Sequence, residues 1–144
     1  MLLSTDIRAA VPTARFGLTE VKWSIYPFGG STIKLIQQIG YVHAMDLLLT
    51  ARLIDAAQAA RLGLINRLVP PDELMGWAIE TAEMIAANSP SAVQAVKRQV
   101  SATIADHALT REAMEQQLGD AVRASPDFAE GIAAFREKRT PRYE

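Results

Sequence analysis

Ala14-Arg15-Phe16-Gly17-Leu18-Thr19-Glu20-Val21-Lys22-Trp23-Ser24-Ile25-Tyr26-Pro27-Phe28-Gly29-Gly30 is the stretch that gives the first part of this chain its mixed character. Its apolar residues alternate only in short bursts, Phe16 with Leu18 and Val21 with Trp23, then Ile25-Tyr26. Pro27-Phe28-Gly29-Gly30 closes it as a turn. Short strands and loops are expected from Pro12 to Gly30. Regular helical patterning begins only beyond this point.

Ser31 is read as the cap of a helix that carries Ile33, Ile36 and Ile39 on one face and stops at Gly40. Val42, Met45 and Leu49 continue a second helical face. Asp55 precedes a short helix, Ala56 to Leu62, with Gly63 as its C-terminal stop. Leu64 to Val69 reads as a short strand ended by Pro70-Pro71. Pro71, Asp72 and Glu73 then suit a helix start, followed by Leu74, Trp77, Ala78, Thr81 and Ile85. Ser89-Pro90 opens a further helix with Val93, Val96, Val100 and Ile104 on one side. Thr110 is read as the cap of another, bearing Met114, Leu118, Ala121 and Val122. Ser125-Pro126-Asp127 opens the last, where Phe128, Ile132 and Phe135 share a face. The expected division is residues 1–70, mixed, and residues 71–144, helical.

The 144 residues are enough for one compact unit. Apolar residues at 49% and charged residues at 22% match soluble globular proteins and exclude disordered and collagen-like classes. Fifteen basic and 16 acidic side chains leave a net charge of −1, so no overall field gathers nucleic acid or an anionic membrane. Without cysteine there are no disulfides and no thiolate metal sites, which fits a cytoplasmic setting. Apolar runs such as residues 45–51 are too short to span a bilayer. His43 and His107 have no partner at metal-binding or nucleophile spacing. Ser31, Ser89 and Ser125 are read as caps rather than nucleophiles, and no metal is expected.

In order along the chain stand Thr5-Asp6-Ile7-Arg8-Ala9-Ala10, Ala14 to Val21, and Pro27-Phe28-Gly29-Gly30-Ser31-Thr32. Leu49 to Ala56, Ala60 to Pro70, Glu130-Gly131 and Phe135-Arg136-Glu137-Lys138-Arg139 follow. Each piece alone is weak, but together, covering nearly the whole chain, the series resembles the enoyl-CoA hydratase/isomerase (crotonase) family. The resemblance implies an α/β crotonase-like (ClpP/crotonase) fold in truncated form. That is the end of the ββα spiral core over 1–70 and a helical trimerisation region over 71–144, mainly α in this chain.

The resemblance further implies acyl-CoA thioesters as substrates, with no cofactor. Two backbone amides would polarise the thioester carbonyl while glutamates manage water and protons. Glu20 matches the second catalytic acid of hydratases, and a carboxylate beside Val21 and Trp23 in a partly apolar cleft suits proton exchange. Pro27, Phe28, Gly29 and Gly30 match a turn that lets backbone approach a ligand and leads into a helix N-terminus, although an ordinary tight turn reads equally well. Lys138 matches a lysine that reaches the CoA nucleotide, a compact ammonium suited to phosphate, and Phe135 an aromatic of the same cleft. Their other reading is helix C-terminal charge for Lys138 and core packing for Phe135. Thr19 stands where the family usually has proline, and Ser24 where it usually has glycine.

In relatives the first catalytic acid lies six residues before the aspartate matched by Asp6, and both oxyanion amides lie further upstream. The chain alone is therefore expected to be inactive. The expectation includes a homo-oligomer, trimer or hexamer, and a missing N-terminal half, left out by an internal start methionine or a frameshift or else encoded separately. The rival expectations are a non-catalytic helical oligomerisation module, and an acyl-CoA isomerase or thioester hydrolase on the same fold.

Overall fold

A computed structural model describes residues 2–143, with no side-chain description for residues 107–110. After a 3-10 turn, Leu2–Ser4, the chain enters β1 (Ala9–Ala10) and then β2 (Arg15–Phe16). A second 3-10 turn, Glu20–Trp23, leads to α1 (Ser31–Ile39) and α2 (Tyr41–Thr50). Next come β3 (Ile54–Asp55), α3 (Ala56–Arg61) and β4 (Arg67–Leu68). Three helices complete the chain: α4 (Leu74–Ala86), α5 (Pro90–Arg123) and α6 (Pro126–Glu137).

The strands are short and pair in two separate ladders. β1 runs parallel to β4, with Ala9 opposite Arg67 and Ala10 opposite Leu68. β2 runs antiparallel to β3, with Arg15 opposite Asp55 and Phe16 opposite Ile54. Arg8 ties this end together. Its guanidinium donates to the Gln38 side chain and the Leu64 carbonyl, both at 2.9 Å, and its backbone N–H to Asn66 Oδ1 at 2.8 Å. Leu35, Ile39, Ala44, Leu47, Leu48, Ile54, Ala59, Leu64 and Ile65 form the buried core between α1, α2 and α3.

Several sequence expectations hold in detail. Asp55 caps α3 by accepting from Gln58 N–H at 2.7 Å, Gly63 turns the chain at φ +78°, and Gly40 ends α1. Others are corrected. α2 is apolar nearly all round, so two faces were available to it. The buried one is Ala44, Leu47 and Leu48, while Val42 and Leu49 stay 76% and 70% exposed. On α1, Leu35 and Ile39 are buried and Ile36 only packs against them. The strand expected from Leu64 to Val69 pairs only over Arg67–Leu68, because Leu64 and Ile65 still hydrogen-bond back to the Ala59 carbonyl of α3.

The two helices expected from Ser89 and from Thr110 are one helix of 34 residues, α5. No proline or glycine interrupts it from Ser91 to Leu118, and a threonine inside a long helix costs little against the bonds on either side. The side chain of Thr110 lies outside the described residues, as does that of His107. Ser31 does not cap α1. Gly30 holds the N-cap position at φ +68°, and the Ser31 hydroxyl donates to the Phe28 carbonyl at 2.6 Å. Ser89 and Ser125 occupy N-cap positions without a capping side-chain bond.

Candidate active site

Glu20 opens the second 3-10 turn. That turn is closed by N–H bonds from Lys22 to the Thr19 carbonyl (3.1 Å), from Ser24 to Val21 (3.3 Å) and from Ile25 to Glu20 (3.0 Å). Ser24 ends it in the left-handed region, φ +51° and ψ 45°. This is a conformation that favours glycine, the residue usual here in the family the sequence resembles. The turn keeps its shape without the glycine because α2 and α6 pack against it.

The Glu20 side chain is half-buried, and its Oε2 is buried with no hydrogen-bond partner among the described residues. A carboxylate oxygen removed from water without a donor is costly, and native proteins leave few such atoms. Its hydrogen-bonding capacity is unfilled among the described residues. Of the titratable side chains, this is the one the sequence singled out for proton chemistry.

Two residues further on, the turn builds one wall of a surface cavity of about 360 Å³, lined by Lys22, Trp23, Phe135, Lys138, Arg139 and Thr140. Trp23 and Phe135 meet edge to face, with centroids 5.2 Å apart and planes at 81°, and Lys22 Nζ sits 5.0 Å from the Trp23 ring centroid. Phe135 is 62% exposed rather than part of the α6 core, which is made by Gly131 and Ala134. Lys138 caps α6 at φ +54° and forms no ion pair among the described residues. Arg139, its neighbour, is fully committed. It forks onto Glu130 at 2.5 and 2.8 Å and donates to Glu137 at 2.6 Å. The Arg139 hydrogen bonds, with the Arg142 backbone N–H second, hold the Glu130 carboxyl down at about 2. Glu130 and Glu137 in turn push the Arg139 guanidinium up.

The turn after Tyr26 serves a different purpose from the one its glycines allow. Pro27 is buried and Gly29 lies at φ +77°. The Gly30 N–H donates to the Glu115 carboxylate of α5 at 3.0 Å, so a carboxylate from this chain sits at the N-terminus of α1. Phe28 stacks edge-on with Tyr26 at 5.4 Å and carries the Arg123 guanidinium 4.9 Å from its ring centroid. The structure thus brings Phe135 and Lys138 together with Lys22 and Trp23 in one cavity. Glu20 and the Pro27–Gly30 turn lie outside its lining. Lys22, Glu115 and Tyr143 escaped the sequence reading, since each gains its place from a partner far away in the chain, and Trp23 enters that reading only as apolar surface beside Glu20. Among the described residues, no group of three or more His, Asp or Glu is placed to hold a metal, and no helix is long and apolar enough to cross a membrane.

The family model described as Enoyl-CoA hydratase/isomerase matches residues 1–144. An enoyl-CoA hydratase of Mycobacterium tuberculosis is 44% identical over 144 residues, which is all of this chain and 54% of that protein. Among solved structures, a carnitinyl-CoA hydratase from Mycobacterium avium superposes with a TM-score of 0.91 at 32% identity, over 99% of this chain and 56% of its own. A methylmalonyl-CoA decarboxylase superposes with a TM-score of 0.86 at 27% identity, over 99% of this chain and 57% of its own. The chain spans about half the length of the curated relatives it matches.

Proposed function

This chain belongs to the enoyl-CoA hydratase/isomerase family, with the crotonase-like fold of the C-terminal part of its subunit, and on that ground we propose that it supplies one carboxylate, Glu20, to a site that hydrates 2-enoyl-CoA thioesters. In that reaction the C2–C3 π bond is lost. Water oxygen bonds to C3 as one carboxylate takes a water proton, and the other group, present as the carboxylic acid, gives its proton to C2. Glu20 fills one of these two roles. The second carboxylate and the amides that stabilise the enolate-like charge come from a preceding segment, encoded with this chain or separately, so the chain alone does not turn over substrate.

The observation that carries this reading is the buried, unpartnered Oε2 of Glu20. Around it we place the rest of the ligand. Lys138, with Lys22 nearby, offers ammonium groups to CoA phosphates, and Phe135 with Trp23 offers flat apolar surface to the nucleotide end. Pro27 to Gly30, joined to α5 through the Gly30 N–H and Glu115, is assigned to substrate contact. Association into a trimer or hexamer in the cytoplasm completes the proposal.

Glu20 also decides between hydration and the other acyl-CoA reactions this fold supports, since a fold alone fixes no reaction. The test is the loss of 2-enoyl-CoA absorbance with the chain alone and with the chain co-expressed with the N-terminal half of a hydratase relative. Turnover is expected only in the second case, falling about 10²-fold or more in Glu20→Gln. Complemented turnover that is indifferent to Glu20→Gln overturns the reading.

A further inference from the structure

α6 ends at Glu137, and Lys138 turns the chain back on itself. Beyond it the last described residues are fastened to α6 by Glu130, with Glu137 also accepting from Arg139. Glu130 accepts both arms of the Arg139 fork and also the Arg142 backbone N–H at 2.8 Å. This lock carries Tyr143 across to the turn that begins at Glu20. There its hydroxyl donates to the Lys22 carbonyl at 2.8 Å, a contact between residues 121 positions apart.

α6 closes on the same turn from the side. A Cβ on Gly131 would lie 2.1 Å from the Trp23 carbonyl oxygen and 3.1 Å from the Tyr143 hydroxyl, so the helix backbone touches the turn only because residue 131 is glycine. Phe135 adds its ring against Trp23. Contacts from Gly131, Phe135 and Tyr143 therefore converge on Lys22 and Trp23, two and three residues after Glu20. None of them hydrogen-bonds the buried Oε2 of Glu20. The turn needs such support, because Ser24 holds a left-handed conformation without being glycine, and backbone of that kind persists only where surrounding structure imposes it.

We infer that Tyr143 is a positioning residue: the segment after α6, locked by Glu130 and Arg139, clamps the Lys22–Trp23 backbone and so fixes the direction of the Glu20 carboxylate. The importance of that direction rests on the function proposed above. The clamp itself does not.

The test removes only the hydroxyl, as Tyr143→Phe, in the full chain and reads amide hydrogen exchange. Ser24 and Ile25, whose N–H groups close the turn, are expected to exchange about three- to tenfold faster, with α2 and α3 unchanged. Glu130→Gln, which loosens the lock, should accelerate the same amides. Unchanged exchange at Ser24 and Ile25, or an equal acceleration in α2 and α3, overturns the clamp. In the complemented hydratase, Tyr143→Phe should lower kcat several-fold, leave KM for the enoyl-CoA unchanged, and cause no further loss on a Glu20→Gln background. An equal loss in both backgrounds, or a rise in KM alone, overturns positioning through Glu20. The two readings fail separately: turnover insensitive to Glu20→Gln sinks the catalytic assignment, whereas the exchange comparison decides the clamp without any turnover.

Discussion

The ring of Phe28 fills the place where a side chain at Gly119 would stand: a Cβ there would lie 1.9 Å from Phe28 Cζ. Gly119 is buried in the second half of α5, and the contact lies between Glu115, bound to the Gly30 N–H, and Arg123, set over the same Phe28 ring. At i, i+4 and i+8 these residues form one stripe. They are the means by which a long, largely exposed helix is held to the turn after Glu20.

Gly119→Ala therefore cannot be treated as a helix-favouring change. Alanine gains about 1 kcal/mol of intrinsic helix propensity over glycine. Against that gain, a methyl group 1.9 Å from an aromatic carbon must displace the ring or the helix, an overpacking cost of about 1–3 kcal/mol. A net loss of up to about 2 kcal/mol in urea unfolding is expected, with loss of the Phe28–Arg123 contact. A variant more stable than the parent would show that α5 does not rest on Phe28 in solution.

Ser24 offers a test with the opposite sign. At φ +51° its side chain is tolerated rather than required, and glycine relieves strain of about 1 kcal/mol while adding some freedom to the unfolded chain. Ser24→Gly should be neutral or stabilising by up to ~1 kcal/mol, and Ser24→Val destabilising by more than that, because a β-branched residue resists positive φ. Thermal unfolding of the three proteins measures the order. Equal stability of the Gly and Val forms would mean the turn is not left-handed at this residue.

What the sequence made legible, and what it did not, divides along range. Asp55 and Gly63 bound α3 through bonds made within a few residues, so their types alone gave the helix limits. α2 defeated the same approach. With Val42, Ala44, Met45, Leu47, Leu48 and Leu49 all apolar, periodicity allowed two faces, and only packing against α1 and Ile54 selected Ala44, Leu47 and Leu48. Thr110 resembled a cap because threonine suits caps, yet nothing around it breaks a helix. Glu20 stood out through family resemblance and not through its own surroundings. Its buried oxygen belongs to a turn packed by α2 and α6, which lie beyond the reach of any local pattern. The Tyr143 bond to Lys22 is the extreme case, with no signal at either end.

The face that α2 leaves outside leads to a prediction about assembly. Val42 and Leu49, two turns apart, share it, and Tyr41 at 65% and Leu53 at 57% exposure extend it. A run of exposed large apolar side chains on α2 and the segment just after it is more than scattered surface hydrophobicity and calls for a cover. Self-association of the chain should appear in equilibrium sedimentation, and Val42→Glu with Leu49→Glu should shift it towards the monomer without loss of helix signal. A parent chain that sediments as a clean monomer removes the support for an oligomer.

Acid should release the lock behind the clamp, and the sign follows from Glu130. Its carboxyl is held at about 2 by the Arg139 side chain first and the Arg142 N–H second, well below the ~4.3 of a glutamate in an unfolded chain. Between those values the unfolded form binds more protons than the folded one, so stability rises with pH through this window. The contribution is complete above about pH 5 and is lost as pH falls towards about 2. Asp46, lowered by its bond to Arg52, responds in the same direction, but it is present in both proteins compared. The difference in unfolding midpoint between the parent and Glu130→Gln should thus be full near neutrality, narrow below about pH 5 and vanish towards about pH 2. High salt should reduce it throughout, because the pair is partly exposed. A difference that stays constant from neutral to acid would mean that Arg139 and Glu130 are not paired in solution, and the C-terminal segment would then need another anchor to bring Tyr143 to Lys22.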